Sequence, residues 1–336
     1  MSGSPSASPD VIFETLSAYQ RTSALKAAIE LDLFSIIGQG HHTAKEIASR
    51  SKASERGTRI LCDYLVTLGF LTKQKGQYHL PDVAKAFLDR QSPQYLGGIS
   101  GFLTSGHLMD MFEDSASAVR KGGTVSNQGS VSPDHPMWVD FARSMMAMMA
   151  LPAHLISEHV KGRIPPKAKI LDVAAGHGIF GVTLAQRFPD ANVVALDWKN
   201  VLNVAHENAN RAGVAARYSS IPGSAFDTAF GEGYDLILLT NFLHHFDQPT
   251  NVNLLRKAHK ALKPGGHAVT LEFIPNDDRV SPPDAARFSF VMLNSTPSGD
   301  AYTFAELEAM HKQAGFRSAE FKVLPPTIQS IVTAQK

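Results

Sequence analysis

The sequence is poor in cysteine, in excess charge of either sign and in long apolar runs. Its single cysteine, Cys62, excludes an internal disulfide and a cysteine-rich zinc site. The 32 Lys and Arg residues almost balance the 31 Asp and Glu residues, so the basic excess of a non-specific nucleic-acid binder is missing. No segment is apolar over the length of a membrane span, and the start does not read as a signal peptide. We therefore expect a cytoplasmic protein without nucleic-acid or membrane partners.

Hydrophobic residues make up 43% of the 336 residues, enough for sizeable cores and more than one domain. The pattern changes along the chain. We predict a disordered leader over residues 1–10, a mostly helical domain over 11–100, connecting helices over 101–160 and an alternating α/β domain over 161–336.

The first domain has the signals of a winged helix. Residues 11–34 have helical periodicity and predict two helices broken around Arg21–Ser23. A capping box at Thr43–Glu46 opens the next helix, Ser54 caps another, and two short strands meet at Lys75–Gly76. The second of these capped helices carries as many acidic as basic residues, which disfavours DNA binding and favours a packing or dimerisation role. A winged-helix regulator that senses a metabolite stays open as an alternative.

The second half of the chain alternates between strands and helices, which predicts a parallel sheet with helices on both faces. The last two strands are separated only by a short turn and must pair as an antiparallel hairpin, because a parallel crossover needs a dozen or more residues. The predicted strands are Lys169–Val173, Asn192–Asp197, Arg217–Ser220, Tyr234–Thr240, His267–Phe273, Glu320–Leu324 and Ile328–Ala334.

A turn rich in small residues follows the first strand of this sheet. Gly176, Gly178 and Gly181 match the dinucleotide fingerprint, but Asp172 at the strand end would repel a pyrophosphate. That carboxylate suits a positively charged ligand, such as the ammonium and sulfonium of S-adenosylmethionine. Asp197, at the end of the second strand, is placed to accept the hydroxyl protons of a ribose.

At these motifs the sequence resembles the S-adenosylmethionine-dependent small-molecule O-methyltransferases that carry an N-terminal winged-helix dimerisation domain, such as those acting on caffeate, acetylserotonin or hydroxyneurosporene. The resemblance spans about residues 11–336. It rests on the segments Leu171–Gly178, Val194–Asp197, Gly223–Phe226 and Leu262–Gly266 and on the terminal strand pair.

The resemblance implies a Rossmann-like seven-stranded methyltransferase domain with a terminal antiparallel hairpin, a homodimer, S-adenosylmethionine as cofactor and a place in secondary metabolism. Two positions depart from the family pattern: its first glycine is Ala174 here, and a common aspartate at the adenine loop is Ser224. The implied cofactor residues are Asp172, Ala174, Gly176, Gly178, Asp197, Trp198, Ser224, Ala225, Phe226, Asn241 and Phe242.

The catalytic base is harder to place. Aligned by the helix after the fourth strand, the general-base histidine of the plant relatives falls on Thr250, so it cannot be carried over. Glu272 matches a supporting glutamate of the family. The remaining candidates are His244, His245 and Asp247 at the carboxyl end of the fourth strand, where an imidazole could take a phenol proton. We expect one histidine of the pair to be structural and the other to take the proton, and the sequence does not decide which. His245 with Asp247 could form an oriented imidazole. A metal site is disfavoured.

Two further segments are candidates for the acceptor pocket. A methionine-rich helix over residues 137–160 carries Phe141, Met145 and Met149, and an insert over residues 279–298 carries Phe288, Met292 and Asn294. Both patterns fit either a substrate pocket with a lid or ordinary packing.

We therefore predict an enzyme that transfers a methyl group to a hydroxyl of a small, aromatic metabolite. Transfer to nitrogen or carbon is an alternative, because an amine or enol needs less help from a base.

Overall fold

The computed structural model describes residues 8–126 and 137–336, so most of the predicted leader lies outside the described residues. The chain divides into two compact units, Met1–Leu108 and Met109–Lys336. Across the described ranges there are fifteen α-helices and nine β-strands. In that same part of the chain, every helix falls short of the length and apolarity that crossing a membrane requires.

The first unit is mostly helical and contains one small hairpin. Its core is formed by residues of α2, α3, α4 and α5, among them Leu33, Ile47 and Leu65, which are fully buried. Its elements are α1 (Asp10–Leu16), α2 (Ala18–Glu30), α3 (Leu33–Gly38), α4 (Ala44–Ser51), α5 (Glu55–Thr67), β1 (Thr72–Gln74), β2 (Gln77–His79), α6 (Asp82–Phe87), α7 (Ser100–Leu103) and α8 (Gly106–Asp110), which runs across the boundary between the units.

The order of helix, helix and hairpin agrees with the sequence prediction. Thr43 and Glu46 form the capping box that opens α4, and the Ser54 hydroxyl caps α5. The predicted break around Arg21–Ser23 is wrong, because α2 continues through it. The chain breaks at Ser17 instead, where the hydroxyl donates to the Phe13 carbonyl at 2.6 Å. Such a local bond competes with the helical one and favours the end of a helix.

The second unit alternates strands and helices after one long helix. Its elements are α9 (Ser115–Lys121), α10 (Met137–His159), β3 (Lys169–Val173), α11 (Ile179–Arg187), β4 (Asn192–Asp197), α12 (Lys199–Arg211), β5 (Tyr218–Pro222), β6 (Tyr234–Thr240), α13 (Gln248–Ala261), β7 (Leu262–Glu272), α14 (Pro283–Ser295), α15 (Phe304–Ala314), β8 (Ser318–Val323) and β9 (Ser330–Gln335).

Within the described residues of this unit, seven strands form one mixed sheet in the order β5-β4-β3-β6-β7-β9-β8. The pairs from β5 to β7 are parallel, and β9 pairs antiparallel with both β7 and β8. Every residue of β6 is buried, as expected for a central strand covered by helices on both faces. The predicted α/β class and its terminal hairpin are confirmed. The parallel order also brings the carboxyl ends of β3, β4 and β6 to one edge, where the candidate site lies.

Candidate active site

The turn between β3 and α11 takes a left-handed backbone at three residues. Ala174, Gly176 and Gly178 have φ of 53°, 56° and 70°. A Cβ on Gly178 would come within 2.6 Å of the Tyr218 hydroxyl and 2.8 Å of the Ala205 Cβ, so this glycine lets the helix pack closely. A Cβ on Gly176 would meet only the Ala174 carbonyl, at 3.9 Å. Gly176 therefore borders open space, the kind of cradle that a ligand can fill.

Asp172 is buried beneath this turn without a counter-charge. Its Oδ2 accepts the Gly181 N–H at 3.1 Å, whereas Oδ1 has no hydrogen-bond partner. Burial, with a smaller contribution from the Asp197 charge, raises the pKa of Asp172 to about 8. The nearby Tyr218 hydroxyl is also unpartnered. Buried polar atoms without a protein partner leave positions where a bound ligand can make a hydrogen bond.

Asp197, at the end of β4, is held from both sides. Its two oxygens accept the N–H groups of Gly176 and Trp198, each at 2.7 Å. Burial nonetheless raises the pKa of this carboxyl to about 6. Trp198 occupies the N-cap position of α12 without a side-chain capping bond, and its ring and that of Trp138 in α10 both pack against an apolar cluster. Trp138 could not be found from the sequence, because an isolated tryptophan carries no motif.

The loop after β5 is fixed by side chains and presents an aromatic surface. The Ser224 hydroxyl accepts the Phe226 N–H at 3.1 Å, and Lys257 donates to the carbonyls of Ala225 and Phe226. The Phe226 ring is 43% exposed and lies 6.4 Å from the Phe242 ring. An exposed aromatic ring at this sheet edge can cover the face of a purine. The unpartnered Oδ1 of Asp172, the open cradle at Gly176 and the exposed Phe226 ring fit the predicted adenosyl cofactor.

His244 and Glu272 form a buried pair at the carboxyl ends of β6 and β7. The imidazole Nδ1 lies 2.5 Å from the Glu272 Oε2, and both side chains are less than 10% exposed. Glu272 Oε1 accepts the N–H groups of Phe242 and Leu243 at 3.1 and 2.9 Å. The residue that meets Glu272 is therefore His244, whereas Thr250 lies in the first turn of α13.

The pairing of His245 with Asp247 that the sequence allowed does not occur. Asp247 instead caps α13, with its Oδ1 accepting the Thr250 N–H at 2.9 Å, while Nδ1 of His245 is buried without a partner. Burial, together with the neighbouring His244, lowers the pKa of His245 well below its ordinary value. Its ring stands edge-on to Trp138 at 5.9 Å. Across the described ranges, no group of three or more His, Cys, Asp or Glu residues is arranged to hold a metal ion.

The candidate acceptor residues lie on two helices. On α14, Phe288 stacks on Phe273 at 3.9 Å and stands edge-on to His244 at 4.9 Å, which brings this helix against the buried pair. Met292 and Asn294 of α14 are buried, and the Asn294 Oδ1 has no partner. On α10, Met145 and Met149 are buried, and Phe141 packs edge-on against Trp138.

Asn241, between β6 and the histidines, has a φ of 54° and an amide held at both ends. Its Oδ1 accepts a hydrogen bond from the Gln329 side chain, and its Nδ2 points at the Met149 sulfur, 3.3 Å away. Gln329 lies in the turn before β9 and is 3% exposed. No sequence motif pointed to it, since it comes close to Asn241 only through the pairing of β7 with β9.

Two family models match this chain. One, described as an O-methyltransferase domain, covers residues 111–317, and the other, described as an O-methyltransferase dimerisation domain, covers residues 13–90.

Individual relatives match over nearly the whole chain. A solved Nostoc punctiforme protein, provisionally described as an O-methyltransferase, is 49% identical, with 98% of this chain and 100% of that chain covered and a TM-score of 0.94. The Streptomyces sahachiroi 3-hydroxy-5-methyl-1-naphthoate 3-O-methyltransferase is 28% identical, over 91% of this chain and 89% of its own. Human N-acetylserotonin methyltransferase, solved in complex with S-adenosylmethionine, shares the fold, with 20% identity, coverage of 99% of both chains and a TM-score of 0.84.

Proposed function

Because the chain belongs to the O-methyltransferase family, we propose that it methylates a phenolic hydroxyl of a small aromatic metabolite. The predicted enzyme class is confirmed by this membership, and the cofactor is S-adenosylmethionine, on which a relative is named as dependent. The observation that carries the choice of a hydroxyl acceptor is the His244–Glu272 pair, a buried imidazole oriented by a carboxylate. Such a pair is the arrangement by which enzymes take a proton from a weakly acidic hydroxyl near neutral pH.

The β3–α11 turn, Asp197 and the loop after β5 would hold the cofactor, which supplies an electrophilic methyl group on a sulfonium. Gly176 would let the ligand approach the backbone closely, and the Asp197 carboxylate would accept hydrogen bonds from the ribose hydroxyls. Asp172 beneath the turn would supply a negative charge to the positively charged ligand. The exposed Phe226 ring would cover the base. These contacts orient the reacting groups in line, which supplies a large part of the rate when the methyl donor is already activated.

His244 acts as the proton acceptor in this proposal. When Nδ1–H donates to Glu272, the other ring nitrogen, Nε2, carries the lone pair and receives the hydroxyl proton. Glu272 cannot turn away, because its second oxygen is held by two backbone N–H groups. The carboxylate therefore fixes the tautomer and stabilises the imidazolium that forms, the role such a carboxylate has in other catalytic pairs.

Replacement of the two partners tests this assignment. His244→Gln should lower kcat by roughly 10²–10⁴-fold with little change in S-adenosylhomocysteine affinity, the usual effect of losing a positioned base. Glu272→Gln should also lower kcat and should weaken the dependence of kcat on pH. His245→Gln is the matched control, since this imidazole has no carboxylate partner at Nδ1. Full activity in His244→Gln would rule out the base.

The acceptor itself can be found by a methyl-transfer screen over phenols, amines and enols. Hydroxylated naphthoates are the first acceptors to test, since a relative is named for one. If only amines or carbon nucleophiles are methylated, and His244→Gln stays active on them, transfer to nitrogen or carbon replaces the proposal. The family match gives no support to the regulator alternative.

Assembly and location complete the proposal. We infer a homodimer through the winged-helix region over residues 11–100, supported by the dimerisation-domain match and by exposed apolar side chains on α1 and α2. The partner surface of the enzyme is then a second copy, with neither nucleic acid nor membrane required. A reducing cytoplasm and a role in secondary metabolism fit the free, buried Cys62 and the kind of acceptor proposed.

A further inference from the structure

The amide of Asn241 is fixed by a residue from the far end of the chain. Gln329 donates its Nε2–H to the Asn241 Oδ1, and the Gln329 backbone is itself held in the turn before β9. The Asn241 backbone N–H donates to the Leu271 carbonyl at 2.8 Å. The side chain and the main chain of Asn241 are thus both tied to the β7–β9 side of the sheet.

The hydrogen-bond donors and acceptors of the two side-chain amides fix the orientation of the Asn241 amide. An asparagine amide has one oxygen that accepts and one nitrogen that donates two hydrogens. Gln329 occupies the oxygen, so the nitrogen must face the opposite way, where it meets the thioether of Met149 at 3.3 Å. A thioether is a weak acceptor. The N–H groups of Asn241 are therefore poorly satisfied, and they lie at the sheet edge that carries the glycine turn and His244.

We propose that Gln329 is a positioning residue, which sets the Asn241 amide so that it donates to an oxygen of the bound ligands. The inference rests on the proposed function, because it assumes that the cofactor and the acceptor meet at this edge. The shared chemistry is an oxygen acceptor, supplied either by the methionine carboxylate of the cofactor or by the oxygen of the methyl acceptor. Met149 holds the place of that oxygen in the ligand-free protein.

The decisive variant reverses the direction of the hydrogen bond between Gln329 and Asn241. In Gln329→Glu the new carboxylate accepts from the Asn241 nitrogen, so the amide turns and presents its oxygen to the ligand. Gln329→Met keeps the size and removes the hydrogen bond, and it serves as the matched variant if the buried carboxylate impairs folding. Asn241→Ala removes the donor altogether.

Titration calorimetry with S-adenosylhomocysteine and steady-state kinetics with the acceptor separate the two oxygens. A cofactor contact predicts that Gln329→Glu raises the Kd for S-adenosylhomocysteine roughly tenfold or more, as expected for the loss of a charge-assisted bond. An acceptor contact predicts an increase of that size in acceptor KM instead. Gln329→Met should show a smaller effect in the wild-type background and none in the Asn241→Ala background.

Three outcomes of these measurements would count against the proposals. A purely structural Gln329 would lower the melting temperature and leave Kd, KM and kcat of the folded enzyme unchanged, and this outcome overturns the inference. Equal effects of Gln329→Met in the wild-type and Asn241→Ala backgrounds would also overturn the inference. If the wild-type protein fails to bind S-adenosylhomocysteine, the proposed function fails first, which distinguishes the two.

Discussion

Asp172 combines a buried carboxyl group with an empty hydrogen-bonding position, and this has consequences for stability. Its pKa of about 8 in the fold lies above the value of 3.8 that is usual for aspartate, so the folded protein holds a proton that the unfolded chain releases. Stability must then fall as pH rises from about 4 to about 8. The same carboxyl binds a cation best when it is ionised, so cofactor affinity should rise over that range.

Asp172→Asn should separate the two effects. We expect the ligand-free variant to be more stable than the wild type at pH 8, by on the order of 1–3 kcal/mol, because an amide needs no ionisation. Its affinity for S-adenosylmethionine should fall roughly tenfold or more. Thermal unfolding and calorimetry between pH 5 and pH 8 check both, with the exposed Asp190→Asn as control. An equal or lower stability of Asp172→Asn at pH 8 would refute the assigned ionisation.

At the residue scale, spacing alone indicated Asp172 and Asp197, since both end strands of a readable α/β pattern. Alignment by the helix after β6 put the family's histidine position on Thr250, because a short 3₁₀ turn over Leu243–His245 precedes α13 and its length cannot be read from periodicity. The sequence therefore left His244 and His245 as open candidates for the base. The Glu272 partner of His244 lies 28 residues away and becomes visible only when β6 and β7 pair.

The turn between β3 and α11 offers a test at the scale of one element. Gly176 and Gly178 share a left-handed backbone, so alanine at either position should cost about 1–2 kcal/mol from conformation. Only at Gly178 would the new methyl group also collide with α12 and Tyr218, which adds a further cost of roughly 1–3 kcal/mol.

Gly176→Ala should thus remain folded and lose affinity for S-adenosylhomocysteine, because its methyl group occupies the ligand cradle. Gly178→Ala should show the larger drop in melting temperature. Thermal unfolding and calorimetry on the two variants in parallel distinguish them. Unchanged ligand affinity in Gly176→Ala would mean that the cradle lies elsewhere.

Elements with strong local signals were predictable, and elements set by packing were less so. β3, β4 and β6 have the predicted bounds, since buried apolar runs mark them. β7 begins five residues before the predicted His267, because Leu262 already pairs with Tyr234 across a register shift. The segment Lys-Pro-Gly-Gly lacks the alternation of apolar and polar residues that would indicate a strand. The extension of β7 therefore comes from its pairing with β6.

The exposed apolar side chains of the N-terminal helices predict that the protein forms dimers. In α1 and at the start of α2, five apolar side chains are exposed by 59% or more, namely Val11, Ile12, Phe13, Leu16 and Tyr19. Contiguous exposed apolar surface of this kind marks an interaction site, and a twofold dimer would bury it against its own copy.

Phe13→Ser with Leu16→Ser should therefore shift the protein toward monomers, because it removes apolar area from the interface without touching a buried core. Light scattering at micromolar concentration measures the change. Val280→Ser, equally exposed but outside this region, should leave the dimer intact. A wild-type monomer at that concentration would contradict the proposal.

The strand order also determines when each strand can join the sheet during synthesis on the ribosome. β8 is made before β9, yet β8 reaches the rest of the sheet only through β9. Until residues 330–335 emerge from the exit tunnel, the edge of β7 with its apolar Ala268, Val269 and Leu271 has no neighbour. An open apolar edge invites pairing with other nascent chains. Within this sheet, the strand that is translated after all the others is therefore the one that covers the β7 edge and prevents misassembly there.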